Sequence, residues 1–278
     1  MKRFNTFGHV AVASLSFALT VMSGGVANAN PVITDGLVAA YPFNGNADDW
    51  SGNGNNGVVN GATLTADRFG NPNSAYSFAA AHARVEVPPI FSSHQSQLTY
   101  VAWINLPQLG GTIYGEFTSG GNTRNTWMAR TGWDVNGALT LNTFPPSGAA
   151  DGHVGVDLVE RRSEWVQTAI VRDGNLISGY LNGAFVGSVS VTGSYGGSPS
   201  TLAAIGNRYN SVAGGWYGNQ VGSYKFDGAV DDFYAYDRAL SATEVQALFT
   251  AVPEPSTSLL FTLGLIGISA SSRRGASR

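Results

Sequence analysis

KFDGAVDDFYAYDRALSATEVQALF, residues Lys225 to Phe249, is the stretch whose reading decides the fold. Phe226 to Tyr236 is rich in aromatic and small apolar residues that suit a pleated surface, which predicts a strand. Just after it, Ser241 with Glu244 three residues on forms an S-x-x-E capping box ahead of Val245, Leu248 and Phe249, which predicts a short helix. Two adjacent carboxylates, Asp231 and Asp232, stand inside the strand. Side chains alternate along a strand, so Asp231 is expected on one face with Ala229, Phe233 and Ala235, and Asp232 on the other with Val230, Tyr234 and Tyr236. One of the two must then face the interior. A buried ionised carboxylate is costly unless compensated, so this strand requires a cationic or hydrogen-bonding partner elsewhere in the chain.

Composition frames the rest. The 278 residues include 36 glycines, no cysteine and only 12% charged side chains, which excludes a disulfide scaffold and argues against a charge-rich disordered chain. Abundant glycine, strand-forming aromatics and few helix-periodic segments favour one large all-β domain, an antiparallel sandwich or barrel. Without Lys2, Arg3, Arg273, Arg274, Arg278 and Glu254 the middle holds 10 basic and 17 acidic residues, about −7, a poor match for nucleic acid or anionic lipid.

The two ends are of another kind. Met1 to Ala29 has basic Lys2 and Arg3, an apolar run from Val10 to Met22 and the small-residue site Ala27-Asn28-Ala29, the three parts of a secretory signal peptide with cleavage expected after Ala29. Val252 to Arg278 begins Pro253-Glu254-Pro255, continues through an apolar stretch from Leu259 to Ala270 and ends near Arg273 and Arg274. Twelve residues at about 1.5 Å rise give roughly 18 Å, short against a hydrocarbon core of about 30 Å.

Between them, Leu37 to Phe43 reads as a strand, followed by a loop carrying Asn44, Asn46, Asp48, Asp49, Ser51, Asn53 and Asn55 among glycines. Such a run of side-chain oxygens suits calcium, which takes roughly 6 to 8 oxygen ligands, and equally suits plain turns, for which Asn, Asp, Ser and Gly are the usual residues. Strand-type segments follow at Val58, Ala75 to Phe78, Arg84 to Val87, Leu98 to Asn105, Thr112 to Phe117, Trp127 to Arg130, Ala138 to Thr143 and Val154 to Val159. Two hairpins run from Glu164 to Val191 around Arg172-Asp173-Gly174-Asn175 and Asn182-Gly183, and a strand follows at Leu202 to Gly206. Trp103 and Trp165, inside strands, read as core residues.

The tail resembles the PEP-CTERM sorting signal of Gram-negative bacteria, with V-P-E-P-S at Val252 to Ser256, a hydrophobic segment and terminal arginines in order. That resemblance implies transient inner-membrane anchoring, recognition by an exosortase, cleavage near Pro253-Glu254-Pro255, and delivery to the cell surface or extracellular matrix; Arg273 and Arg274 agree with a cytoplasmic C-terminus. The middle is similar to the bacterial LamG family of concanavalin A-like jelly rolls. The resemblance rests on GLVAAYPFNGNADDWSGNGNNG (Gly36 to Gly57), DRFGNPNSAYSF (Asp67 to Phe78), LTYVAWI (Leu98 to Ile104), EWVQTAIVRDGNLISGYLNGAFVGS (Glu164 to Ser188) and FDGAVDDFYAYDRALSATEV (Phe226 to Val245). It implies an all-β, antiparallel β-sandwich (jelly roll) with one short C-terminal helix over residues 30–251, between a signal peptide at 1–29 and a hydrophobic sorting helix at 252–278. The family often holds a structural calcium between its first and last segments, which would bring Asp48 and Asp49 to Asp231 or Asp232, with Asp49 and Asp231 the best-matched positions. The alternative is that Asp231 is satisfied by backbone amides and Asp49 caps a turn.

Function is expected to follow from the exported domain. Trp127, Trp133, Tyr209, Trp216 and Tyr217 lie in or beside loops, where flat rings near Asn and Asp oxygens can stack on sugars; ordinary packing explains any one of them as well. The leading expectation is a noncatalytic module attaching to polysaccharide or glycoprotein at the bacterial surface. The alternatives are a structural or protein-binding matrix protein and, less favoured, a glycoside hydrolase. The hydrolase needs two carboxylates flanking the scissile bond, which glycanases of this fold place as E-x-D-x-E or E-x-D-x-x-E on one strand. Here Glu160 and Glu164 are separated by Arg161-Arg162-Ser163, and Glu86 and Glu116 stand alone.

Overall fold

The structure is a computed structural model that describes residues 33–91, 96–107, 110–117, 123–130, 138–143, 150–155, 158–191, 200–210, 215–216 and 225–251. Only the backbone is described at 123–130, 138–143, 150–153, 159, 209–210 and 215–216. The expected leader at 1–29, the expected sorting segment at 252–278, Trp133 and Tyr217 lie outside the described residues. All described residues belong to one compact unit, Asn28–Glu254.

The chain builds β1 (Leu37–Tyr41), β2 (Val58–Asn60), β3 (Thr63–Thr65), β4 (Ala75–Ser77), β5 (Arg84–Val87), β6 (Gln97–Asn105), β7 (Thr112–Phe117), β8 (Thr123–Arg130), β9 (Ala138–Thr143) and β10 (Ala150–Gly155). A 3-10 turn over Val159–Arg161 leads into β11 (Trp165–Asp173), β12 (Leu176–Leu181), β13 (Ala184–Ser190), β14 (Leu202–Ile205), β15 (Tyr209–Asn210), β16 (Gly215–Trp216), β17 (Ala229–Tyr236) and the helix α1 (Ala242–Thr250). One sheet runs β13-β12-β11-β6-β17-β4-β3, with β1 also on β17; the other runs β10-β9-β8-β7-β14-β5-β2; β15 and β16 form a small ribbon. The pairs between the described strands are antiparallel, as a jelly-roll sandwich requires. Asn182 and Gly183 both take left-handed φ (49° and 74°), the geometry of a two-residue hairpin turn between β12 and β13.

The two sheets enclose a core in which Tyr100, Ala102, Ile104, Val166, Ile170, Val230 and Phe233 of the first meet Val85, Ile113, Tyr114, Ala203 and Ile205 of the second. A second cluster lies on the outer face of the first sheet, where Val245 and Leu248 of α1 cover Val101, Ala169, Val171, Tyr180, Tyr234 and Tyr236. Helix α1 starts as read: Ser241 Oγ accepts from the Glu244 amide, and the Glu244 carboxylate accepts from the Ser241 amide at 2.8 Å.

Two expectations are corrected. The alternation in β17 is broken: Val230, Phe233 and Ala235 all enter the inter-sheet core, and Tyr234 and Tyr236 take the outer face. The cause is a bulge between Asp231 and Tyr234, with Asp232 at φ 47° in the left-handed region that Asp tolerates better than most residues. Trp103 and Trp165 are not in the inter-sheet core. Both are half-buried on the outer face, Trp103 stacked on Phe249 of α1 with ring centroids 5.6 Å apart. An outer face partly covered by a helix also favours aromatic residues, which is why strand position alone misplaced them.

Candidate functional site

β17 changes neighbour along one edge: Ala229 and Val230 pair with β4, and Phe233 to Tyr236 pair with β1. The bulge falls at that junction and turns both Asp231 and Asp232 toward one cation. Arg68 Nη1 donates to Asp231 Oδ2 at 2.6 Å and to Asp232 Oδ2 at 2.5 Å, with side chains 8%, 4% and 10% exposed respectively. Neither acid therefore enters the inter-sheet core, and the required partner is an arginine more than 160 residues away. The guanidinium carbon also lies 4.4 Å from the Phe69 ring centroid and 4.6 Å from that of Trp103, the stacking a planar cation favours. Burial, and for Asp231 the neighbouring Asp232 charge, push both carboxyls above the usual range while Arg68 pulls them down. Burial pulls Arg68 down, but the two carboxylates raise it further, so it stays charged.

Asp49 is held differently. Its Oδ1 accepts from the amides of Ala40 (3.0 Å) and Ser51 (2.9 Å), and its Oδ2 from Ser51 Oγ (2.8 Å) and the Asn55 amide (2.9 Å). The loop folds back on β1, where the Asn53 and Asn55 side-chain amides donate to the Val38 carbonyl. Asp48 donates its amide to Asn46 Oδ1 in an exposed turn. Donors of the loop thus occupy Asp49, and Arg68 occupies Asp231 and Asp232. As placed, these four acids form no shared ligand set, and among the described residues no cluster of three or more His, Cys, Asp or Glu side chains is arranged to hold a metal ion. A third acid, Glu116, is buried against the amides of Ile90 and Phe91 (2.9 and 2.8 Å) and the Tyr114 hydroxyl (2.7 Å), and burial raises its pKa.

Of the aromatic candidates, Trp127 falls in β8 with Tyr114 and Leu141 as Cα partners, and Tyr209 and Trp216 face each other across the β15–β16 ribbon. The backbone brings Tyr209 and Trp216 together; it leaves Trp127 in the second sheet.

Sequence reasoning missed an open cavity on the outer face of the first sheet. Along β6 the outward residues Val101, Trp103 and Asn105 pass from helix cover, to the Arg68 cation, to an open cavity. That cavity, about 290 Å³, is lined by Thr65, Ser77, Asn105, Trp165, Asp227 and Gly228 among others. Strand register assembles it: Trp165 pairs with Asn105, Asn105 with Ala229, and Ala229 with Ser77, one row across four adjacent strands. Gly228 is required there, since a Cβ would run into the Asn105 carbonyl. These residues come from five separate segments, so no local motif announces them.

Comparison with known proteins agrees with this fold. A family model described as the concanavalin A-like lectin/glucanases superfamily matches residues 79–246, and one for the PEP-CTERM protein-sorting motif matches 251–274. Among curated protein sequences, none matches the chain. The binding domain of Paraclostridial Mosquitocidal Protein 1 is similar in structure at 20% identity and TM-score 0.56, over 78% of this chain and 52% of that one. The botulinum neurotoxin serotype D binding domain is similar at 13% identity and TM-score 0.57, over 78% and 51%. This chain thus spans about half the length of either toxin chain. Domain 4 of an extracellular arabinanase from Geobacillus stearothermophilus, solved in complex with arabinotriose, is similar at 19% identity and TM-score 0.51, over 77% of this chain and 98% of that one.

Proposed function

The chain belongs to the concanavalin A-like lectin/glucanases superfamily, and from that premise we propose that it is a noncatalytic module that binds polysaccharide or the glycans of glycoproteins at the bacterial surface or in its matrix. Its PEP-CTERM motif indicates export by way of an exosortase. The observation that carries the reading is the open cavity on the outer face, where an aromatic ring stands beside carboxylate, amide and hydroxyl groups, the mixture that polyhydroxylated ligands require. The principal acids support the noncatalytic part: Asp49, Glu116 and the Asp231–Asp232 pair are each engaged by backbone amides, hydroxyls or a cation, which stabilises a fold rather than a glycosyl transition state. A glycan array probed with the full chain tests the reading, with saturable binding that free sugar competes away as the expected result. Release of sugar from a polysaccharide, abolished by one carboxylate substitution, would overturn the noncatalytic assignment.

A second reading, protein binding within the matrix, draws on the sheet margins. Phe185 and Val186 on the marginal strand β13 are 56% and 39% exposed, and Val58 on the marginal strand β2 is 62% exposed. Apolar sheet edges are surfaces other chains can add to. A folded, monodisperse chain that is silent on the array and captures a surface protein would favour it.

A further inference from the structure

We propose that the outer-face cavity is a subsite for one neutral sugar residue of a glycan, with Trp165 as the stacking surface and Asp227, Asn105, Ser77 and Thr65 as the groups that read its hydroxyls. The inference rests on the glycan-binding reading above and gives it a place. At about 290 Å³ the cavity sits at or below the roughly 300–1,000 Å³ typical of pockets that enclose drug-sized ligands, so it takes one ring and leaves the rest of the chain in solvent.

The chemistry follows from the lining. Trp165 is half-buried at the start of β11, so its indole is fixed by packing while part of its surface remains available for the apolar C–H face of a pyranose. Asp227 Oδ1 contacts Lys225 Nζ at 3.4 Å, and Lys225 Nζ is itself held by the Ala79 carbonyl at 2.9 Å. A carboxylate offers about four acceptor sites, so this one keeps capacity for sugar hydroxyls, which donate well to an ionised oxygen. Asn105 supplies an amide whose Nδ2 donates to the Ser163 carbonyl at 3.2 Å, which orients its Oδ1 as an acceptor. Ser77 and Thr65 add hydroxyls that donate or accept.

Charge selects among sugars. A carboxylate in the cavity, within a domain whose middle carries 10 basic and 17 acidic residues, disfavours uronic, sialic and sulfated residues. The lysine beside Asp227 is buried, with its side chain 1% exposed, so it offsets part of the Asp227 charge but turns no ammonium to solvent for an anionic ligand to pair with.

The test uses the full chain and three proteins: wild type, Trp165→Ala and Asp227→Asn, each checked for an unchanged cooperative melt. On a glycan array followed by titration with the best neutral oligosaccharide, Trp165→Ala is expected to lose tenfold or more in affinity, since truncating an aromatic ring that stacks on the ligand costs on the order of a factor of ten or greater. Asp227→Asn, which keeps shape and removes charge, is expected to weaken neutral-glycan binding and to relax discrimination against uronic acids. It serves alone if Trp165→Ala fails to fold. Wild-type binding retained in full by both variants overturns this subsite and leaves the glycan-binding reading standing, with Trp127→Ala and Trp216→Ala next to be measured. Wild-type binding only to anionic glycans overturns the charge argument and the subsite with it. No wild-type binding to any glycan overturns both the subsite and the reading beneath it.

Discussion

Asp49 and the Asp231–Asp232 pair solve the same problem in opposite ways. Asp49 is satisfied within its own neighbourhood, by amides and a hydroxyl from Ala40, Ser51 and Asn55, none more than nine residues away. The pair in β17 is satisfied by one arginine more than 160 residues upstream, at a bulge where the strand changes neighbour. The local solution spreads one charge over neutral dipoles. The distant one gathers two acids around a single cation, so its cost depends on a side chain that only the finished fold delivers.

The largest expected effect breaks the distant solution. Arg68→Ala leaves two buried carboxylates without a counter-charge and should cost about 3–5 kcal/mol at neutral pH, measured by urea unfolding. A loss under about 1 kcal/mol would show that the pair is far better solvated than the geometry indicates. Calcium against chelator, run on wild type, tests the cation directly: no shift in the melt is expected while Arg68 occupies both acids.

Acid should sharpen the contrast. Because burial holds Asp231 and Asp232 above their ordinary values, the folded state retains protons that the unfolded chain has released. Their contribution is fullest below the ordinary aspartate range and declines as pH rises through the raised values. Removing Arg68 raises those values further, so the Arg68→Ala deficit should shrink between pH 7 and pH 4; a deficit constant across that range would refute the linkage. Glu244 has the opposite sign. Its pKa is lowered to about 2, first by the Arg238 hydrogen bond and then by the Ser241 amide, so its contribution is present above the ordinary glutamate value and is lost as pH falls through about 2.

Asp49→Ala should come next, at about 2–3 kcal/mol, since several amides lose a charged acceptor together. Stability within about 0.5 kcal/mol of wild type would mean that water replaces the carboxylate, and would make the loop an accessory. Smaller still is Asp232→Asn, which keeps a residue tolerant of left-handed φ and leaves a neutral Arg68–Asp231 pair. The change should be within about 1 kcal/mol, with a flatter pH profile than wild type.

The comparison also explains what was legible. Glycine, proline and asparagine punctuation marked β5, β7, β9 and β12 at their observed bounds, and Asn182-Gly183 marked its hairpin, because these signals act within a few residues. The capping box of α1 was legible for the same reason. The bulge at Asp232 was not: alternation is a property of an unbroken ladder, and the break arises where β4 ends and β1 begins beside β17. The need for a partner to the two acids could be read from burial cost alone, but its identity could not. DRFGNPN reads as turn residues, and only the fold brings Arg68 across. The same limit hid the outer-face cavity, whose five segments meet through pairing register.

The last of the described strands, β17, stands in the interior of its sheet, with β6 on one side and β4 and β1 on the other. While the ribosome is still reading earlier codons, β6 and β1 wait with an unpaired edge, and the core lacks Val230, Phe233 and Ala235. Long-range pairing of this kind is slow and all-or-none. Proteolysis of nascent chains of increasing length should find resistance only after Tyr236 has emerged. Until then the chain that carries the sorting motif is expected to stay open along β6 and β1.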